Sequence, residues 1–117
     1  MKSFRELDVW NKAMQLTDCV YDLVGQFPHK ERYALGDQLR RAVVSIPSNI
    51  AEGFGRDTHK DFAHFLAQAR GSLYEVDTQI EIAIRRGYIE KDATLLSLMN
   101  DVAKMLSALS RRLRSTI

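Results

Sequence analysis

The 117-residue sequence predicts an all-α fold: an antiparallel up-down-up-down four-helix bundle with a proline-kinked second helix. Three observations predict it. Four segments carry apolar residues at spacings of three and four, the period of one helix face. No segment alternates as a half-buried strand does, and the β-branched pair Val43-Val44 sits inside a longer helical pattern. The connections between segments are short and punctuated by Gly and Pro, as antiparallel neighbours require.

The first helix is expected from about Ser3 to Gln26, with Phe4, Leu7, Met14, Val20, Leu23 and Val24 on one broad face. Ser3 and Glu6 have capping-box spacing, in which hydroxyl and carboxylate each satisfy an early N–H. Phe27-Pro28 stops the helix, because a residue before proline avoids the α region. The second is expected from about Lys30 to Phe54, with the stripe Leu35, Leu39, Ala42, Val43, Ile46, Ile50 and Phe54, and Gly53 and Gly55 as its stop. Thr58 opens the third, with Asp57 and Asp61 favourable to the helix dipole. Its stripe is Phe62, Leu66, Ala69, Leu73, Val76, Ile80 and Ile84, and Gly87 ends it. The fourth is expected from about Glu90 to Arg114, on Leu95, Leu98, Met99, Val102, Leu106, Leu109 and Leu113.

Length and composition place all of residues 1–117 in one domain able to build a core without disulfides or metals. No stretch approaches the roughly 20 apolar residues of a membrane span, and no signal peptide is visible. The single cysteine, Cys19, has no partner for an internal disulfide, and a reducing cytoplasm is the expected setting. Cys19 is expected to pack as a small hydrophobe.

Several features break the helical pattern. Pro47 sits inside the second helix, where it withholds an N–H from the Val43 carbonyl at a cost of about 3 kcal/mol. Because the stripe keeps its phase from Ile46 to Ile50, one kinked helix is expected rather than two. Opposite that stripe fall Arg41, Ser45, Ser48 and Glu52, with Val44 and Ala51 beside them. Small residues let another helix approach closely, so this back face is expected to be a subunit interface. Arg70 and Asp77 fall at the edge of the third stripe, where charges need partners. Arg40 and Asp37 are their candidates. Gly71 lies on the outer side of the same helix, where close approach of another helix explains a glycine.

Tests for chemistry find no sequence feature that argues for an enzyme. Paired-metal bundles use Glu-x-x-His from two helices. This chain holds only Asp61-x-x-His64. His59 and His64 are five apart and point away from each other on a helix, so with His29 they are expected at the surface. Gly53-Phe54-Gly55 lacks the Gly-Lys-Ser/Thr ending of a phosphate loop. No catalytic residue, metal or cofactor is expected. A weaker alternative, an enzyme with a site at a subunit junction around Arg70 and Asp77, has no motif to support it.

Net charge is +2, but unevenly spread: residues 85–117 hold seven Lys/Arg against three acids, and residues 1–84 hold ten against twelve. Arg85 and Arg86 end the third helix, and Arg111, Arg112 and Arg114 end the fourth. Cations there complement the helix dipole, or they contact nucleic-acid phosphates, which requires only placed positive charge. In an antiparallel bundle the two clusters lie at opposite ends. A pure protein-interaction scaffold, with the arginines serving helix ends and subunit contacts, is the alternative.

The run from Tyr33 to Gly55, with Gln38 to Ala42 (QLRRA) and Ser45 to Gly53 (SIPSNIAEG), resembles the four-helix-bundle proteins named for the intervening sequences of 23S ribosomal RNA genes. FRELDVWNKA at Phe4 to Ala13, Phe62 to Leu66, Gly71-Ser72-Leu73 with Glu75, and Gly87-Tyr88-Ile89 extend the similarity. The resemblance implies an up-down bundle with a proline in the second helix, a homo-oligomer and no enzymatic activity. Related retroelement accessory proteins form pentameric barrels with basic surfaces, bind nucleic acid and partner a reverse transcriptase. RNA or DNA and a protein partner are therefore expected, and no membrane. Arg41, Asn49, Glu52 and Gly53 match signature positions. Arg41 and Glu52 are expected in structural or intersubunit ion pairs, and the Asn49 amide on backbone groups around Pro47.

Overall fold

Residues 2–115 are described by the computed structural model. Its start is less regular than one capped helix. Ser3 Oγ accepts the Arg5 N–H at 3.1 Å, and the Glu6 carboxylate reaches back to the Lys2 N–H at 3.3 Å, not to Ser3. Together they close a single 3-10 turn, Phe4–Glu6, and Leu7 then turns extended. The Asn11 amide bonds the Arg5 and Leu7 carbonyls across that break at 2.8 and 3.0 Å. Helix α1 (Asp8–Val24) begins only after it. The break resets the phase of the apolar face, which is Val9, Ala13, Leu16, Val20 and Leu23, and leaves Met14 37% exposed against expectation.

The second predicted segment is also two pieces: a short helix α2 (His29–Arg32) and a long one, α3 (Leu35–Phe54). Gly36 shows why. A Cβ there would lie 2.7 Å from Val24 Cγ1 and 3.0 Å from the Glu31 carbonyl, so the chain turns sharply against the end of α1. Two arginines hold the turn, Arg32 Nε donating to the Phe27 carbonyl and Arg40 to the Arg32 carbonyl. Helix α3 runs through Pro47 without interruption, and Ile46 and Ile50 on either side are fully buried.

Helix α4 (His59–Arg85) is capped by Thr58, whose hydroxyl accepts the Asp61 N–H at 3.1 Å. It ends where Gly87 takes φ +75°. There the Tyr88 and Gly87 N–H groups return to the Ala83 and Ile84 carbonyls, the two bonds of a Schellman stop. Helix α5 (Ala93–Ser115) starts three residues later than expected, with Asp92 accepting the Leu95 N–H.

Among the described residues all regular structure is helical, and four long helices pack as a ring: α1 on α3 and α5, α4 on α3 and α5. The five steps from Phe54 to His59 span at most about 18 Å, too short to return along α3, which is about 30 Å long. The packed neighbours α3 and α4 therefore run antiparallel. Leu16, Val20, Leu39, Val43, Ile46, Ile50, Leu66, Val76, Leu95, Val102 and Leu106 fill the shared core at 1% exposure or less. No described helix is long and apolar enough to cross a membrane.

Candidate nucleic-acid interface and signature face

The signature residues divide between the inside and the outside of the α3–α4 seam. Ser45 Oγ lies 2.5 Å from Ser72 Oγ of α4 and donates to the Ala42 carbonyl at 2.7 Å. Gly53 is buried: a Cβ on it would stand 2.7 Å from Phe65 Cβ and 3.0 Å from Phe62 Cδ1. Ser45 thus commits its hydroxyl to α4 while still bordering the outer surface beside Arg41, and Gly53, a signature position, is packed inside the chain. The physical reason is a close approach of α3 and α4, permitted by these small residues within one chain.

Arg41, Ser48 and Glu52 remain exposed, with Val44 beside them at 39%. Glu52 pairs with Arg56 one turn on, at 3.1 Å, and the Arg56 guanidinium lies 4.7 Å over the Phe65 ring. The Glu52 ion pair is thus within the chain. Arg41 lines a shallow groove with Gln38, Ala42, Ser45 and Glu75. Around Pro47 the polar side chains turn back on their own helix: Ser48 Oγ donates to the Val44 carbonyl at 2.8 Å and Asn49 Nδ2 to the Ser45 carbonyl at 2.7 Å. The Asn49 amide serves the backbone beside the proline.

Arg70 and Asp77 are both exposed, and Arg40 pairs with Asp37 on its own helix. The edge of the α4 stripe is therefore open to solvent, and the expected partners Arg40 and Asp37 are engaged with each other. Cys19 is half-buried, and burial, then Asp92 and Asp22, push its thiol above the ordinary range. Such a thiol is a poor nucleophile at neutral pH. His29, His59 and His64 are exposed, as expected. No group of three or more His, Cys, Asp or Glu able to hold a metal occurs among the described residues.

The two basic clusters stay apart. Arg85, 79% exposed along its side chain, pairs with Glu81 at 2.9 Å, and Arg86 caps α4. Arg111, Arg112 and Arg114 are exposed at the far end of α5. Helix α4, about 40 Å long, separates the clusters. Arg112 borders a groove with Glu6, Leu7, Asp8, Val9, Met105, Ala108 and Leu109, so the starts of the chain and the end of α5 share one pole. Lys104 was not anticipated. It and Arg111 line a concavity with Ala103 and Ser107. Its spacing of seven from Arg111, two helical turns, was the signal that marks them as one stripe.

No protein of curated function matches the chain. A solved structure of a protein with unknown function from the S23 ribosomal protein family of Bacteroides thetaiotaomicron matches at TM-score 0.65 and 21% identity, covering 93% of this chain and 97% of that one. At that identity the likeness shows the helical fold alone. The model of the 23S rRNA-intervening sequence protein family matches residues 5–108. With a matching family model over nearly its whole length, the chain belongs to the 23S rRNA-intervening sequence protein family.

Proposed function

We propose that this chain is a non-catalytic helical bundle that assembles with copies of itself and binds RNA or DNA through phosphate contacts. One observation carries the nucleic-acid part. From Val102 to Ser115, α5 holds four bases (Lys104, Arg111, Arg112 and Arg114), all exposed, and no acid. Arg112 borders Glu6 and Asp8, so the positive field that a phosphate chain requires comes chiefly from Lys104, Arg111 and Arg114. Arg85 is a weaker contributor, because Glu81 already neutralises it.

Assembly is supported by the small, uncovered outer faces of α3 and α4. Val44 and Ser48 are exposed, and a Cβ on Gly71 meets no atom within 4 Å, so nothing inside the chain requires a glycine there. Pentamers are the expected size by resemblance. Light scattering on the purified protein measures the assembly; a monomer at every concentration sinks that part.

Binding to structured RNA and duplex DNA across a salt series tests the rest. The expected result is binding near physiological salt with log K falling steeply against log salt, lost on replacing Arg111, Arg112 and Arg114 together by Ala. Absence of binding even at low salt overturns the nucleic-acid reading and leaves the interaction scaffold.

A further inference from the structure

We infer that the concavity on α5 between Lys104 and Arg111 seats one backbone phosphate of a nucleic acid, held by both cations and by the Ser107 hydroxyl. The inference rests on the nucleic-acid reading above and names the side chains that take the phosphate.

The seat is one continuous surface. Ala103, Lys104, Ser107 and Arg111 line a single concavity, and all four belong to α5. Ser107 follows Lys104 by three residues and precedes Arg111 by four, the two spacings that bring side chains over one another on a helix. Lys104 and Arg111 stand about 10 Å apart along the axis, with Ser107 between them. Both cations are exposed and Ser107 is half-buried. Ala103, with only a methyl group, leaves the hollow open.

The hollow offers donors and no facing carboxylate. Among the described residues, Lys104 and Arg111 enter no ion pair. The nearest acid on the helix, Asp101, lies 3.9 Å from Lys12 of α1. Glu6 and Asp8 border Arg112 in a separate groove against the start of α1. The Ser107 hydroxyl is also uncommitted. Those of Ser45, Ser48 and Ser115 donate to carbonyls of their own helices, whereas that of Ser107 bonds no group among the described residues. A phosphodiester carries one charge over two unesterified oxygens, which accept from several directions at once. Such a group takes both cations and the hydroxyl together. Arg114, outside the concavity, contacts a separate phosphate.

Salt series of binding to labelled duplex DNA and structured RNA, read by fluorescence anisotropy, test the assignment. Each phosphate neutralised adds about 0.9 to the slope of log K against log salt on B-form duplex. Because Lys104 and Arg111 share one phosphate, replacing both by Ala is expected to lower the slope by that single step. Their losses in affinity are expected to depart from the product of the two single losses. Replacing Lys104 and Arg114 by Ala is expected to lower the slope by twice as much, with independent losses. Ser107→Ala removes a donor but no charge, so binding is expected to weaken roughly fivefold at unchanged slope. All four positions lie outside the core, and circular dichroism melting confirms that each variant is folded. Independent losses and a doubled slope change for Lys104 with Arg111, or wild-type affinity in Ser107→Ala, overturn the shared seat while the nucleic-acid reading stands. No binding of either probe by wild type, even at low salt, overturns both.

Discussion

Gly53 and Gly71 sit on adjacent helices and have opposite surroundings. A Cβ on Gly53 meets Phe65 at 2.7 Å and the Phe62 carbonyl at 3.3 Å, while one on Gly71 meets nothing. Gly53→Ala is therefore expected to destabilise by about 1–3 kcal/mol through overpacking, read as a lower urea midpoint. Gly71→Ala is expected to stabilise an isolated chain by roughly 0.5–1 kcal/mol, the helix-propensity difference. If another copy packs there, the same change lowers the assembly size seen by light scattering. The motif around Gly53 was visible in the sequence, but which neighbour requires the glycine was not: a small residue looks the same whether its partner is α4 or a second chain. Cys19 offers a separate check. With its thiol pushed up by burial and two carboxylates, labelling by a thiol reagent at pH 7–8 is expected to be slow and to accelerate on unfolding. Fast labelling of the folded protein contradicts the described surroundings.

Helix boundaries follow the chemistry of caps more than the apolar stripes. Thr58 and Gly87 were legible because a side-chain oxygen before a helix and a glycine after it act locally. Gly87→Ala is expected to cost roughly 1 kcal/mol, since an L side chain at φ +75° is strained, and thermal melting measures it. The breaks at Leu7 and at Tyr33-Ala34 were not legible. Each depends on side chains folding back on carbonyls, Asn11 in one case and Arg32 with Arg40 in the other. Pro47 shows how an element absorbs a residue that opposes it. Ser45, Ser48 and Asn49 donate to the neighbouring Ala42, Val44 and Ser45 carbonyls, and α3 runs on past the Val43 carbonyl that Pro47 leaves without its N–H. Asn49→Ala is expected to cost about 0.5–1.5 kcal/mol, measured by denaturant unfolding, whereas a solvated asparagine on an ordinary helix face would cost almost nothing.

At the scale of the whole molecule, the bundle and its core were legible because four stripes with short connections admit few arrangements. The charge layout was only partly so. Composition located the basic residues near the end of the chain, but the grouping of Lys104 with them depends on which face of α5 the core leaves outside. Arg70 and Asp77 were misplaced for the same reason: a stripe edge is inside or outside according to how closely two helices approach. The basic stretch of α5 also predicts an asymmetry between the two poles. Replacing Arg85 and Arg86 by Ala is expected to change nucleic-acid affinity less than replacing Arg111 and Arg114, measured in the same salt.

The groove shared by Glu6 to Val9 and Arg112 places the outer ends of α1 and α5 side by side. The two ends are therefore close enough to be joined by a short linker, with the chain reopened in the 86–92 connection. Such a circular permutant is expected to fold, because the ring of helix contacts does not depend on which connection is cut. It also relocates any affinity tag. A tag joined to the start of α1 or the end of α5 crowds the pole that carries Arg111, Arg112 and Arg114, whereas a tag at the new opening leaves that pole clear.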